Sequence, residues 1–403
     1  MPSINHEIMK WARETAGLSR EAAIEKLEIR PAYGIPALER LTALEDGQDV
    51  PSRPMLLKMA RVYRRSLLTF YMSAPPRRAD RGQDFRTLPI DHVVADDALL
   101  DALIRDVTAR QDIVRSILQE DEDAQPHAFI GSGDMAAGVN KLKTEISRKI
   151  EFDLAEYRRQ PSVEDAFALL RAKIEAVGIF VVLIGNLGSY QTAFSVETFR
   201  GFALADPIAP FIVINDQDAK SAWAFTLIHE LAHLWLGATG VSGTDTDLQI
   251  ERFCNDLASE FLLSSSELAE IRISDGADLA ELIEQIAAFS GTRNLSNAMV
   301  AYRLLRAGKI SQAKWASVSQ RLREHWRRSQ DLRKERGRDS DGGPNYYVVK
   351  RHRMGQALLQ FVSRNLNSGI LTPTKAGKVL GVKSRNVSNL LNFTPALRRG
   401  SAA

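Results

Sequence analysis

The sequence contains little cysteine and no long hydrophobic run. Cys254 is the only cysteine among 403 residues, which excludes a disulfide framework and a cysteine-based zinc cluster and fits a reducing compartment. The longest apolar candidate, residues 179–185, has the length of a strand, far short of the roughly 20 residues that span a bilayer. The N-terminal residues lack an apolar segment behind a basic start, so no secretory signal is expected. These absences predict a cytoplasmic protein with no membrane association.

Charge is distributed unevenly along the chain. Residues 301–403 carry 22 Lys and Arg against 5 Asp and Glu, whereas residues 1–300 carry 31 against 45. A basic segment of this kind indicates a nucleic acid or an acidic protein as partner, or pairing with the acidic body of the same chain. The sequence leaves these interpretations open.

Hydrophobic periodicity and turn residues divide the chain into five parts. Apolar residues at helical spacing predominate, and strand patterns occur within residues 179–215, so we predict an α+β fold that is mostly helical. In chain order, the parts are a small helical module at 1–73, a linker at 74–90, a helical scaffold at 91–160, an α+β core at 161–307 and a basic helical region at 308–403.

The strongest chemical signal is the sequence HELAH at residues 229–233, inside a predicted helix that is apolar on nearly every side. His229 and His233 lie one helical turn apart on the same face, so both imidazoles can reach a single ion. Glu230 lies about 100° around the helix, where its carboxylate can take a proton from a water molecule held on the metal. Because burying these polar side chains without a partner is costly, the motif predicts a divalent metal site.

A catalytic zinc site generally needs a third protein ligand. Leu236 and Thr239 stand where the metzincin extension requires glycine and histidine, so we expect the ligand on the next predicted helix, residues 250–263. Glu251 is the predicted ligand, and Asn255, one turn later, can accept the second ring N–H of a ligating histidine. The alternative for Glu251 is a solvated acid at a helix start. Of the competing carboxylates, the first two lie in a predicted loop and the last two point away from the stripe of Glu251: Asp245, Asp247, Asp256 and Glu260.

The predicted strands within residues 199–215 precede the metal-binding helix. In zinc proteases of this helix-plus-sheet type, an extended substrate commonly adds to a sheet edge beside the metal. Pro207 and Pro210 fit an edge or a turn, but the sequence does not indicate which strand is the edge. Tyr190, Arg200 and a backbone N–H are open alternatives for stabilising a tetrahedral oxyanion.

Six segments in one order and spacing carry a resemblance to a known family. They are WARETAGLS, FYMSAPP, DFRTLP, FRGFALADPIAPFIVIND, FTLIHELAHLWLG and ERFCNDLASEFLL. Over most of its length, the chain resembles the ImmA/IrrE family of metallopeptidases. The resemblance implies a zincin-like core, made of a small sheet, the HExxH helix and a ligand helix, flanked by helical N- and C-terminal domains. It also implies one Zn²⁺, with Mn²⁺ as the alternative ion, bound by His229, His233 and Glu251, with Glu230 as general base.

Family members with an N-terminal XRE-like helical module are associated with cleavage of a repressor or another regulatory partner, beside phage, stress or toxin–antitoxin regulators. The resemblance therefore implies an intracellular zinc endopeptidase whose substrate is a regulatory protein such as a repressor or an antitoxin. Ser264 departs from the family, which often has proline there. The oligomeric state stays open, with a homodimer among the options.

Two helical segments are candidates for DNA contact. In the N-terminal module, the predicted recognition helix carries Glu39, Glu45 and Asp46 against Arg40, a poor match to phosphate, so partner docking is expected there instead. Residues 371–392 have the spacing of a helix-turn-helix. Its second helix would present side chains able to meet phosphates or base edges, namely Lys383, Ser384, Arg385, Asn386 and Asn389.

Two other functions are compatible with the sequence. In the first, the protein is a DNA-binding transcriptional regulator whose zinc site is structural or sensory. In the second, it is an antitoxin-like protein that binds a partner without turnover.

Overall fold

The computed structural model describes residues 4–76, 94–120, 124–189, 192–237, 245–274, 277–338 and 345–393. Across these described ranges, helices predominate and one small sheet lies among them, so the predicted α+β class is confirmed. Within the described residues, no helix has both the length and the apolar character needed to cross a membrane.

The N-terminal residues form a bundle with its own core. Side-chain oxygens of Asn5, Ser19 and Ser52 accept backbone N–H groups at three helix starts, which fixes where these helices begin. Glu45, counted among the acids of the candidate recognition helix, is buried and pairs with Arg13 at 2.5 Å and Arg20 at 3.0 Å. The helices are α1 (His6–Glu14), α2 (Arg20–Leu27), α3 (Ala37–Glu45) and α4 (Arg53–Val62), followed by a 3-10 turn at Leu67–Tyr71.

Three short strands form the sheet: β1 (Phe180–Leu183), β2 (Gly201–Leu204) and β3 (Phe211–Ile214). Their spatial order is β1-β3-β2, with β1 parallel and β2 antiparallel to β3. The strand β2 is therefore one edge of this sheet, which the sequence could not decide.

Both faces of the sheet are buried. Along β3, Ile212 and Ile214 point into one hydrophobic cluster, whereas Phe211 and Val213 point into another. Every residue of β1 and β3 is buried, which explains why their sequences are continuous apolar runs without alternation. The sheet thus separates two helical layers.

The first layer contains the predicted metal-binding helix. Its helices share a core with the Ile212 face of the sheet. They are α6 (Val139–Lys149), α7 (Leu154–Arg158), α8 (Val163–Ala176), α9 (Lys220–Leu236), α10 (Asp245–Leu262), α11 (Ser265–Glu270), α12 (Leu279–Gly291), α13 (Asn297–Arg306) and α14 (Gln312–Arg338).

The second layer combines distant parts of the chain on the Phe211 face. It contains α5 (Val94–Gln119), α15 (Tyr346–Met354), α16 (Gln356–Asn367), α17 (Pro373–Leu380) and α18 (Val387–Leu391). Hydrophobic packing thus groups the chain by sheet face, and the C-terminal helices are built onto the same sheet as the HELAH helix. The domain boundaries expected at residues 90, 160 and 307 stay predictions.

A buried ion pair joins the two layers. Arg171 and Glu175 lie on α8 and pair at 3.1 Å, and both are less than one-tenth exposed. The Glu175 carboxylate accepts the backbone N–H groups of Gln356 (3.0 Å) and Ala357 (3.1 Å), which are otherwise unsatisfied donors at the start of α16. The Arg171 guanidinium donates to backbone carbonyls of β1 and α15, including that of His352 at 2.6 Å. Burial raises the pKa of the Glu175 carboxyl.

We expect Glu175→Ala to lower the free energy of unfolding by about 3 kcal/mol, because the substitution leaves a buried guanidinium without its counter-charge. The matched control is Glu164→Ala on the same helix, whose exposed pair with Lys220 (2.9 Å) contributes about 1 kcal/mol or less. Urea unfolding of both variants measures the difference. Equal losses would contradict the structural role given to the Arg171–Glu175 pair.

Candidate metal centre

The two histidines of the HELAH motif lie together on α9. His229 is 8% exposed and His233 is 2% exposed, in agreement with a helix that is apolar on nearly every side. Their Nε2 atoms are 3.1 Å apart. The i, i+4 spacing therefore directs both rings to one point, as the sequence predicted.

Glu251 of α10 reaches the same point. Its two carboxylate oxygens lie 3.3 Å from the Nε2 atoms of His229 and His233, one oxygen to each ring. Two ligands of a tetrahedral ion with bonds of about 2.1 Å lie about 3.4 Å apart, so the separations of all three groups match those of a zinc ligand set. Among the described residues, His229, His233 and Glu251 are the group whose donor atoms come within 4.8 Å of one another in this way, and all three are buried.

The described competing carboxylates of α10 are engaged elsewhere. Asp256 accepts the Tyr302 hydroxyl at 2.7 Å and pairs with Arg306 at 2.6 Å. Glu260 pairs with Arg303 and, at 3.4 Å, with Lys143. These ion pairs hold both carboxylates away from the two imidazoles.

Asp245 and Asp247 were expected in a loop. That expectation is wrong, since α10 already begins at Asp245. The predicted helix start at residue 250 followed the apolar periodicity, which begins later than the helix itself. The side chains of Asp245 and Asp247 lie outside the described residues.

Glu230 points to a different side of α9 from the histidines, towards the edge strand. It is 2% exposed, and a Cβ atom added to Gly201 of β2 would lie 2.8 Å from its Oε1 and 2.6 Å from the Thr226 Cγ2. The carboxylate therefore lies directly against the backbone of β2. Sequence reasoning did not single out Gly201, although a glycine inside a strand pattern signals a close approach of this kind.

The backbone of β2 has hydrogen-bonding groups that point away from β3. The Arg200 carbonyl accepts the Asn215 N–H at 2.8 Å, and Gly201 lies opposite Ile214. Because bonded and non-bonded pairs alternate in an antiparallel ladder, the N–H and C=O groups of Gly201 and Ala203 face outwards. Of these two residues, Gly201 lies against Glu230.

The structure does not bring the other predicted residues into the centre. The Asn255 side chain is half-buried and makes no hydrogen bond among the described residues, so its predicted bond to a ligating histidine stays a prediction. The exposed Arg200 pairs with Asp218 at 3.4 Å. Tyr190 lies outside the described residues.

The predicted C-terminal helix-turn-helix consists of α17, a turn at Gly381 (φ 61°), a 3-10 turn at Ser384–Asn386 and the short α18. Its inner face belongs to the core of the second layer, through residues such as Val379 and Leu390. Asn386 is half-buried and Asn389 donates to the Tyr347 hydroxyl at 3.3 Å. The exposed residues are Lys383, Ser384, Arg385 and Asn389. DNA binding by this segment stays a prediction.

We expect Gly201→Ala to lower the free energy of unfolding by about 1–3 kcal/mol, because the new methyl group displaces Thr226 and Glu230. Adding Thr226→Ser, which removes the closest methyl group, should recover part of the loss. The matched control is Gly291→Ala near the end of α12, where an added Cβ meets nothing within 4 Å and the change is expected to be neutral or stabilising. Urea unfolding compares the three variants. A Gly201→Ala protein as stable as the Gly291→Ala control would show that α9 and β2 are not in close contact.

The comparison with known families places both metal-site helices in one domain. Residues 175–304 match the family model of the IrrE N-terminal-like domain, Peptidase_M78. Neither the curated proteins nor the solved structures gave a match. The matched range runs from the end of α8 to α13 and contains the sheet, α9 and α10. Through this domain the chain is similar to metallopeptidases of the ImmA/IrrE type.

Proposed function

We propose that the protein is a zinc-dependent endopeptidase of the cytoplasm that cleaves a regulatory protein such as a repressor or an antitoxin. The observation that carries the proposal is the convergence of His229, His233 and Glu251 inside the domain that matches Peptidase_M78. The regulatory nature of the substrate is inferred from the family resemblance and not from the geometry.

The proposed ligands are the Nε2 atoms of both histidines and the Glu251 carboxylate. Imidazole and carboxylate groups suit zinc, and Mn²⁺ is the alternative ion. A bound divalent ion supplies Lewis-acid polarisation of a substrate carbonyl and of a water molecule. The three protein ligands leave a position for such groups, as catalytic zinc sites do.

Glu230 is proposed to move the proton. Its carboxylate is almost fully buried, lies against the Gly201 backbone of β2 and follows His229 directly along α9. From this position its oxygen takes a proton from the attacking water and then gives it to the nitrogen of the leaving amine. The close contact with Gly201 holds the carboxylate in place for both transfers.

The edge of β2 is proposed to hold the substrate backbone. An extended peptide can pair with the outward N–H and C=O groups of Gly201 and Ala203, as in other cases where a strand adds to a sheet edge. A peptide bound there would run past Glu230, because Gly201 and Glu230 are in contact. Main-chain pairing of this kind positions the scissile bond. It does not determine which substrate side chains the site accepts.

A DNA-binding regulator with a structural or sensory zinc site is the second candidate function. The exposed cations Lys383 and Arg385 at the turn before α18 favour it. Salt-dependent DNA binding that survives Glu230→Gln and is lost with Lys383→Ala and Arg385→Ala would support this function over hydrolysis.

Metal content tests the ligand set. We expect Glu251→Gln and His233→Ala to lose stoichiometric zinc, because each removes one of three ligands. Asp256→Asn is the matched control on the same helix and should retain one zinc ion per chain. Elemental analysis by mass spectrometry measures zinc after dialysis. If Glu251→Gln kept its zinc and Asp256→Asn lost it, the third ligand would be Asp256 and not Glu251.

Glu230→Gln tests the proton transfer. The amide cannot accept the proton, so we expect cleavage to fall by at least about 100-fold while the zinc content is unchanged. The assay incubates the full chain with a peptide library made from a bacterial proteome and identifies new N-termini by mass spectrometry. Cleavage at the wild-type rate by Glu230→Gln would exclude Glu230 as the base.

A further inference from the structure

A large cleft lies on the side of the sheet opposite the metal centre. Its volume is about 1610 Å³, and its walls come from the N-terminal bundle, α5, the loop after β1, α15 and α17. Its described lining contains none of the residues proposed for peptide cleavage, although it includes Lys383 and Arg385, the candidate DNA contacts. The cleft therefore needs an explanation of its own.

Positive charge predominates in the cleft. Among the described residues, three of its cations pair with a carboxylate: Arg110 and Lys378 share Asp106, at 2.5 Å and 3.1 Å, and Arg353 pairs with Asp216 at 2.6 Å. In this lining, positively charged groups outnumber the acids that neutralise them.

Arg64, Arg105 and Lys350 line the same cleft, from the turn after α4, from α5 and from α15. Among the described residues, no carboxylate lies within ion-pair distance of these three cations. Burial lowers the pKa of each of them. The positive charge of Arg64 lowers the pKa of Arg105 further, against the opposing effect of Asp101. An anion bound in the cleft would offset both the burial and the repulsion between these cations.

Lys350 is the most strongly affected cation. Burial, followed by the positive charges of Arg110 and Arg353, lowers the pKa of its ammonium group to about 8, against the opposing effect of Asp106 and Asp216. These four groups belong to α5, α15 and the turn after β3. An anion beside Lys350 would restore the charged form.

The loop after β1 forms one wall of the cleft. Its sequence is Gly-Asn-Leu-Gly-Ser at residues 185–189, and Gly188 has φ +87°, a conformation that favours glycine. The loop follows the carboxyl end of β1, which is parallel to β3. In sheets with parallel strands, ligands commonly bind outside the carboxyl ends of the strands.

We propose that this cleft is a binding site for a small molecule that carries a chain of two or more phosphate groups. The phosphates lie among Arg64, Arg105 and Lys350, against the glycine-containing loop. Such a chain comes from a nucleoside polyphosphate or from inorganic polyphosphate, and the half-exposed Tyr346 at the lining offers a face on which a base can stack. Asp101 and Asp106 of α5 interrupt the positive lining of the cleft, which disfavours a long nucleic acid strand, since that needs a continuous basic path. This site is independent of the proposed peptidase activity.

Calorimetric titration of the full chain, without divalent cations, tests the proposal with ATP and with sodium tripolyphosphate. We expect saturable binding of at least one of them, weakened at least about tenfold by Lys350→Gln and by Arg105→Gln, because each removes a charge-assisted contact. Arg148→Gln on α6, an exposed arginine outside the cleft, is the matched control and should bind as the wild type does. Tighter binding of ATP identifies a nucleoside polyphosphate, and equal binding identifies the phosphate chain alone.

Proton uptake gives a second readout that does not depend on affinity. At pH 8 a fraction of Lys350 is uncharged, so binding should take up protons, whereas at pH 6 the amine is already charged and uptake should vanish. Lys350→Arg should bind the same probe and show no uptake at either pH. Titrations in buffers of different ionisation enthalpy measure the number of protons.

Three results would overturn the proposal: no saturable binding of either probe, equal weakening in the Arg148→Gln control, or unchanged binding in both Lys350→Gln and Arg105→Gln. Binding of a single-stranded oligonucleotide at this cleft, without binding of ATP or tripolyphosphate, would also overturn it and identify a nucleic acid as the occupant. Circular dichroism checks that each variant keeps its helices, and Lys350→Arg keeps the test valid if the neutral variants unfold. None of these measurements uses peptide cleavage, so their failure is distinguishable from failure of the peptidase proposal.

Discussion

The structure depends on the crossing of α9 and α10, where two imidazoles and one carboxylate meet in a buried place. His229, His233 and Glu251 lie within 3.3 Å of their nearest partners and are each less than one-tenth exposed. Removing one such side chain from water is costly, but three donors with a common centre match what a divalent ion requires. The packing of the two helices therefore sets the separation of the three donor groups, and with it the geometry of the candidate metal centre.

The three-stranded sheet packs beside the crossing of α9 and α10. The three short strands are buried on both faces. The sheet therefore separates the layer of the candidate metal centre from the layer built from α5 and the C-terminal helices. The edge strand β2 touches Glu230 through Gly201, which places a sheet edge and a buried carboxylate side by side. The basic cleft lies on the opposite side of the sheet. Residues 185–189 line this cleft and belong to the connection between β1 and β2.

Much of the candidate metal centre could be predicted from the sequence, because its geometry depends on residue spacing within single helices. A four-residue spacing on one apolar helix determines that His229 and His233 face the same way, and the stripe of the next helix selects Glu251 among five acids. The sequence predicts strands at residues 179–184, 199–205 and 211–215, and the observed ends differ from these bounds by at most two residues. Buried apolar runs bounded by turn residues identify such strands.

What the sequence could not supply depends on contacts between distant residues. The position of β2 at the sheet edge, the closeness of Gly201 to Glu230 and the packing of the C-terminal helices against the sheet arise from tertiary packing, which periodicity does not report. The start of α10 at Asp245 was missed because its first turn carries no apolar pattern. Glu45 was counted with the acids that face a partner of the candidate recognition helix, because its charge was considered without Arg13 and Arg20, with which it pairs.

Anomalous X-ray diffraction at the zinc absorption edge, on crystals of the full chain grown with zinc, tests the central claim most directly. The account predicts one strong peak bonded to the Nε2 atoms of His229 and His233 and to a Glu251 carboxylate oxygen, at about 2.0–2.2 Å. A peak bonded to other residues, or imidazoles that turn away from each other in the presence of zinc, would contradict it.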